Sequence, residues 1–295
     1  MIPIYENNVT YNVKIADLYF KMDTYPDKYV SDMLADYMVS ECGEDALYVE
    51  CQLYCEPLAV PEGTRLTEHS ETNWYIMDSG VYVLTFYDEE NECTCANMYY
   101  DRINGKVKVD VLDVATLYGV DTEFFLYNVL ERVFRIHLVF NSGIAIHASS
   151  IVHDGYGIAF SAESGTGKST HTELWIKNYP GTYILNDDAP AFRFVNGEWF
   201  MYGTPWAGTT GINANVRVPV KALVFLERSK VNSIRDASTL EAIPRIFEAI
   251  IHPMSDEVTN HVFESVSALL VNSRVCVLGC NMTDDAPKTV RNYLF

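Results

Sequence analysis

Phe160-Ser161-Ala162-Glu163-Ser164-Gly165-Thr166-Gly167-Lys168-Ser169-Thr170 is the stretch whose reading sets the fold of this chain. It follows the pattern of a phosphate-binding P-loop, in which a glycine and four further residues precede Gly-Lys-Ser/Thr. Gly167, Lys168 and Ser169 fit, and Ala162 stands where the first glycine belongs. The run Tyr156-Gly157-Ile158-Ala159-Phe160 reads as a buried strand, and residues 170–176 read as the first turns of a helix. Strand, glycine-rich loop and helix are the order that the chemistry needs. The backbone N–H groups of Ser164, Gly165, Thr166, Gly167, Lys168, Ser169 and Thr170 then converge on phosphate oxygens, backed by the positive end of the helix dipole. In such a loop Lys168 reaches the β- and γ-phosphates and the Ser169 hydroxyl ligates Mg²⁺, or Mn²⁺. The expected ligand is a nucleotide, with ATP as donor.

The rest of the composition bounds the partners. The 295 residues are 48% hydrophobic and 21% charged, which is ordinary for a folded protein with room for two modest domains. The net charge of −19 repels nucleic acid and anionic membranes, so neither is an expected partner. A nucleotide site must therefore be positive locally. The first residues lack the basic and apolar regions of a signal peptide, and no apolar run approaches a membrane span, so the expected location is cytoplasmic. The seven cysteines include Cys51-x-x-x-Cys55 and Cys93-x-Cys95, a conceivable zinc set. Both pairs sit in strand-like segments and read as reduced, packed thiols.

The character of the sequence changes near residue 140. Residues 1–140 read as a β-rich region, with period-two alternation in Lys106-Val107-Lys108-Val109-Asp110-Val111 and an Asn104-Gly105 hairpin turn, implying an antiparallel sheet. The region ends in a linking helix with Leu126, Val129, Leu130, Val133 and Phe134 on one face, starting near an Asp121 cap. Residues 141–295 read as an α/β nucleotide-binding domain with a mixed sheet and flanking helices. Its expected strands are 144–152, the P-loop strand joined to it by Asp154-Gly155, 182–185, 191–195, 198–202, 221–227 and 273–278. Helices are expected over 240–252, 256–271 and 286–293.

A P-loop needs a second, acidic element. Asn186-Asp187-Asp188 ends a short apolar strand just after the P-loop helix, where the C-terminal ends of neighbouring strands converge on a ligand. One carboxylate can sit near the metal and the other can accept a hydroxyl proton. His147, expected in the apolar strand next to the P-loop strand, can hydrogen-bond a catalytic aspartate or serve as a buried structural histidine. The loop 203–211 is crowded with small residues around Trp206. It reads equally as a substrate or phosphate loop, with Gly208 allowing close approach, and as a turn around a packing tryptophan. Arg217 follows and can neutralise charge on a transferring phosphoryl group or lie on the surface. His171 and Trp175, on the P-loop helix, read as packing residues.

Together, His147-Ala148-Ser149, Asp154-Gly155-Tyr156-Gly157, Glu163 to Ser169, Asn186-Asp187-Asp188 and the strand 222–227 resemble the catalytic domain of HPr kinase/phosphorylase, which shares a P-loop fold with phosphoenolpyruvate carboxykinase. The resemblance spans roughly 143–230. It implies an ATP-dependent phosphotransferase acting on a hydroxyl of a protein, peptide or small molecule. It also implies Asp187 as base, Asp188 and Ser169 near Mg²⁺, Lys168 on the γ-phosphoryl group, and His147 beside the acidic pair. A homo-oligomer is compatible with it. Ala162 departs from the family, as does the lack of a Glu-x-Arg-Gly segment after the aspartates, so HPr itself is not the expected acceptor. The metal-binding Lys and His residues of true carboxykinases have no counterpart here. A nucleotide-binding regulatory module without transfer, and a carboxykinase-like or phosphatase activity on the same scaffold, are the competing readings.

Overall fold

In the computed structural model, the described residues are 3–4, 8–69, 71–114, 122–163, 165–250 and 255–295, with the side chains of 122–124 left aside. The chain is mixed α/β and divides into two compact units, Met1–Ile136 and His137–Phe295.

The first unit is built on an eight-stranded sheet. Its strands are β1 (Val9–Ile15), β2 (Leu18–Thr24), β3 (Leu47–Tyr54), β4 (Thr64–Arg65), β5 (Thr72–Ile76), β6 (Tyr82–Asp88), β7 (Cys93–Asp101) and β8 (Lys106–Leu112). Their order is β1-β2-β3-β8-β7-β6-β5-β4. The sheet is not wholly antiparallel, because β3 runs parallel to both β2 and β8. A helix, α1 (Lys28–Leu34), intervenes between β2 and β3; Asp27 caps it by accepting the Val30 N–H at 2.8 Å. The Asn104-Gly105 turn does close the β7–β8 hairpin, with Gly105 at φ 60°, a conformation that costs glycine nothing. Val107, Val109 and Val111 alternate inward from β8. The helix α2 (Thr122–Val139) buries Leu126, Val129, Leu130, Val133 and Phe134, the face its spacing marks; the Asp121 cap lies outside the described residues. Cys51, Cys93 and Cys95 are buried free thiols, and among the described residues no three His, Cys, Asp or Glu side chains converge as metal ligands. No described helix is long and apolar enough to cross a membrane.

The second unit carries β9 (Gly143–Ala145), β10 (Ser149–His153), β11 (Tyr156–Ser161), α3 (Lys168–Asn178), β12 (Tyr183–Asn186), β13 (Ala191–Val195), β14 (Glu198–Tyr202), β15 (Arg217–Arg228), β16 (Ser233–Asp236), α4 (Thr239–Ala249), α5 (Asp256–Asn272), β17 (Arg274–Cys280) and α6 (Asp285–Leu294). Its sheet has nine strands, organised by the long β15. The first residues of β15 pair antiparallel with β14, and the remainder runs parallel to β11 on one side and β17 on the other. A strand buried on both faces reads as a continuous apolar run, which Ala222-Leu223-Val224-Phe225-Leu226 is. Ile158, Phe160, Trp175, Val224 and Leu278 form its core with residues of α6. Each such side chain contributes about 1.5–3 kcal/mol by leaving water.

The expected single strand over 144–152 is two strands. β9 pairs with β13, whereas β10 pairs with β11 and β12. The chain changes partners at Ile146-His147-Ala148, so His147 is not a strand residue, and its N–H goes to the Ala249 carbonyl at 2.7 Å.

Three histidines of this unit are held neutral by the fold. Burial pushes His171 down to about 4. Its ring lies against Phe160 and accepts the Trp175 indole N–H at 3.2 Å. Burial, aided by the Arg193 charge, brings His137 to about 4. His153 is lowered by burial, partly offset by Asp154 and reinforced by Arg291, whose Nε donates to His153 Nε2 at 3.1 Å. The unfolded chain takes up these protons near pH 6.5 and the native state refuses them until lower pH, so stability is full above that value and falls as pH drops toward 4. Urea midpoints should therefore decline between pH 6.5 and 4, and His171→Phe should decline less steeply than wild type; equal slopes would remove His171 from this account.

Candidate functional site

The loop between β11 and α3 begins at Ala162. Its two left-handed positions are Gly165 at φ 74° and Gly167 at φ 108°, where a side chain is strained. Ala162 is not among the positive-φ residues, so the missing first glycine is not required by this backbone. A Cβ on Gly167 would also run into the Met282 thioether. The loop is closed by Thr166 N–H to the Glu163 carbonyl at 3.2 Å and by Arg228 Nη2 to the Gly165 carbonyl at 2.8 Å. Gly167 is the N-cap of α3 and supplies no side-chain cap. The first-turn amides, including those of Ser169 and the exposed Thr170, thus keep the orphan donors that suit an anion. Ser164 lies outside the described residues.

Asp187 and Asp188 face different partners. Asp187 is buried at 8% exposure. Its Oδ1 accepts the Ser149 hydroxyl at 2.5 Å and its Oδ2 accepts the Ser169 hydroxyl at 3.2 Å. Asp188 is more open, and its Oδ1 lies 2.9 Å from His147 Nδ1. His147 Nε2 is 3.0 Å from Lys168 Nζ, which also donates to the Ala162 carbonyl at 3.0 Å. An ammonium can only donate, so Nε2 accepts from Lys168 and Nδ1–H points to Asp188. Burial holds Lys168 below the usual lysine range, against the opposing pull of Asp188 and Asp187. The resemblance implies Asp187 as base and Asp188 with Ser169 near Mg²⁺; in the structure the Ser169 hydroxyl bonds to Asp187, and Asp188 lies beside His147.

This turn is fixed by Asn186, which is fully buried. Its Nδ2 donates to the Thr204 carbonyl at 2.9 Å, the Thr204 hydroxyl at 3.1 Å and the Trp206 carbonyl at 3.1 Å. Its Oδ1 accepts the N–H of Asp188 at 2.9 Å and of Ala189 at 2.6 Å. Trp206 is thus a buried support behind the aspartates and not a lid over a ligand. Gly208 is the loop residue that approaches the site. A Cβ there would stand 3.0 Å from the Asp188 Cβ.

Arg217 is not brought to the site. Strand register places Ser161 opposite Phe225, so Arg217 lies at the far end of β15, roughly 25 Å along the strand. Its guanidinium sits 4.7 Å from the Phe200 ring centre. Arg228, at the other end of the same strand, is the arginine beside the P-loop. Its signal was position: it ends a strand parallel to the P-loop strand. Ser149 and Asn186 are the other contributors whose roles were not assigned from sequence. A cavity of about 880 Å³ opens beside the loop, reached from Ala162, Thr166, His147 and Arg228.

No family model matches this chain, and no curated protein matches it. Among solved structures it is similar to the HPr(Ser) kinase/phosphatase from Coxiella burnetii, with 15% identity over 50% of this chain and 89% of that one and a TM-score of 0.33. That likeness is distant and carries no residue-level inference.

Replacing Asn186 with Ala strands the amides of Asp188 and Ala189 and the Thr204 and Trp206 carbonyls in a dry site. The expected loss is about 3 kcal/mol, read from the urea midpoint. A loss below about 0.5 kcal/mol would show that water replaces the amide without cost.

Proposed function

We propose that the second unit is a nucleotide-dependent phosphotransferase that moves the γ-phosphoryl group of Mg·ATP to a hydroxyl. The observation that supports this most is the pairing, at one P-loop, of Ser169 with Asp187 and of Lys168 with His147 and Asp188. A pure nucleotide binder has no need of a second, accessible carboxylate on a hydrogen-bonded histidine.

The donor set fits Mg²⁺ arriving with the nucleotide. One hydroxyl and one carboxylate are too few for a resident all-protein site, yet they suit an ion that is otherwise held by phosphates and water. Bound there, Mg²⁺ would supply charge neutralisation on the phosphates. Ser169 and Asp187 would hold it, with Ser149 keeping Asp187 in place. Lys168 exchanges its contact with the Ala162 carbonyl for phosphate oxygen. Asp188 takes the hydroxyl proton of the acceptor. His147 positions that carboxylate, and the Asn186 side chain fixes the backbone of both aspartates. The proposed roles of Asp187 and Asp188 are thus the reverse of those implied by the family resemblance, because it is the buried Asp187 that accepts the Ser169 hydroxyl, whereas Asp188 is the more exposed and is positioned by His147.

Calorimetry with Mg·ATP checks the binding half. Lys168→Ala should weaken binding about tenfold to a hundredfold. Asp187→Asn should abolish the dependence of ATP affinity on Mg²⁺. Asp188→Asn should leave that affinity intact and lower turnover roughly 10²- to 10⁴-fold. Retained Mg²⁺ dependence in Asp187→Asn, with loss of it in Asp188→Asn, would restore the opposite assignment. Tight Mg·ATP binding without any turnover would leave a regulatory nucleotide module.

A further inference from the structure

We infer that the cavity beside the P-loop is the acceptor site and that it takes a small hydroxyl compound bearing an ammonium group, an amino alcohol or a hydroxy amino acid; this rests on the phosphotransferase reading. The cavity, about 880 Å³, is of small-molecule size. Ala162, Glu163 and Thr166 of the P-loop bound it on one side, and His147 bounds it on another. Since His147 touches both Lys168 and Asp188, a compound in this space lies one side chain away from the phosphoryl-binding lysine and from the proposed proton acceptor.

The charge of the cavity decides what it accepts. Its floor is apolar, with Phe225 and Leu226 buried. Of its two arginines, Arg245 is held in ion pairs and Arg228 by a backbone carbonyl. Arg245 pairs with Glu227 at 2.5 Å and with Glu241 at 3.5 Å, and stacks 5.6 Å from the centre of the Phe225 ring. Arg228 is turned to the Gly165 carbonyl. Two lining carboxylates, Glu163 and Glu248, are exposed and make no ion pair among the described residues. A carbonyl does not cancel the Arg228 charge, so the lining groups without an ion pair among the described residues are two carboxylates against one guanidinium, and their balance is negative. Glu248 is held in register with the reacting groups, because the next residue, Ala249, receives the His147 N–H at 2.7 Å. An anionic acceptor such as a sugar phosphate would add its charge to this wall and to the ATP phosphates. An ammonium would be paired by it, and a hydroxyl two or three bonds away would reach toward Asp188.

The step balances without a further reagent. The bond from the γ-phosphorus to the β–γ bridging oxygen breaks, and its electron pair leaves on ADP. A bond from the γ-phosphorus to the acceptor oxygen forms, and the hydroxyl proton passes to Asp188.

The test uses the full chain with Mg·ATP and four probes: ethanolamine, serine, glycerol and glucose 6-phosphate. ADP release is followed, and ³¹P NMR detects the new phosphate ester. Ethanolamine or serine should accelerate ADP release with ester formation, and glycerol and glucose 6-phosphate should not. Glu248→Gln should raise the KM for the amine-bearing probe about tenfold while changing the Kd for Mg·ATP less than about twofold. Normal Mg·ATP binding with no response to any probe, or with a response to glycerol or the sugar phosphate instead, overturns the inference and leaves the phosphotransferase reading standing. A matching loss of Mg·ATP affinity in Glu248→Gln overturns it as well, because the cavity would then hold the nucleoside. Absence of Mg·ATP binding in wild type overturns the parent reading and this one together.

Discussion

The register between β11 and β15 is the constraint on which the second unit depends. Parallel pairing of Ser161 with Phe225 brings the end of one strand, where the P-loop begins, level with the end of the other, where Glu227 and Arg228 stand. A slip of one residue would turn every buried side chain of β15 to the opposite face. The continuous run Ala222 to Leu226 tolerates that in polarity, being apolar on both faces, but not in shape, because Trp175 and Phe160 already fill the space beside it. Gly157 adds a second lock. A Cβ there would crowd Val218 and Met201 at 3.0–3.2 Å, so glycine lets the start of β11 lie against the β14–β15 corner without displacing them. The site is thus a consequence of sheet packing before it is a consequence of its own residues.

For the proposed polyphosphate ligand, an acidic chain must gather its few cations. The net charge is −19, and 21 basic residues are spread over 295 positions. At the P-loop the solution is mostly uncharged. Orphan amides at the start of α3 and the dipole behind them carry no formal charge and cannot be neutralised by the acidic surface. Lys168 adds the one ammonium at the mouth, and the protein lowers its desolvation cost by giving it two acceptors, Ala162 O and His147 Nε2. Arg228 braces the loop through its contact with the Gly165 carbonyl. This preserves the left-handed turn that aims the amides.

Local patterns in the sequence carried most of these elements, and pairings between distant residues carried the rest. The P-loop, the β7–β8 hairpin and the buried face of α2 each depend on residues within a few positions of one another, so spacing alone exposes them. The parallel placement of β3 and the division of 144–152 into two strands depend on partners far away in sequence, and β-propensity is silent about partners. His147 shows the cost of that silence. Its apolar neighbours read as strand, yet Ile146 and Ala148 bond to Pro190 and Asp188 carbonyls in a crossover. Arg217 and Arg228 flank the same apolar run and are equally basic; only the direction of β15 relative to β11 tells which one meets the loop. Trp206 read equally as a lid and as packing, because a tryptophan among glycines has no local signature of burial.

The acidic pair illustrates how backbone geometry assigns chemistry. Just beyond the end of β12, the two adjacent aspartates meet different hydrogen-bond partners, Ser149 and Ser169 for Asp187 and His147 for Asp188. Asn186 makes this arrangement rigid by accepting the amides of Asp188 and Ala189 on one oxygen while its nitrogen is held by the Thr204–Trp206 segment. One carboxylate lies inward against the Ser149 and Ser169 hydroxyls, and the other is more exposed and lies beside His147. The same segment that supplies the carbonyls for Asn186 also delivers Gly208 against Asp188, and any larger residue there would press on the open carboxylate. The placement of Asp187 and Asp188, on which their proposed division of labour rests, is therefore fixed by a buried asparagine and a glycine, neither of which has a titratable group.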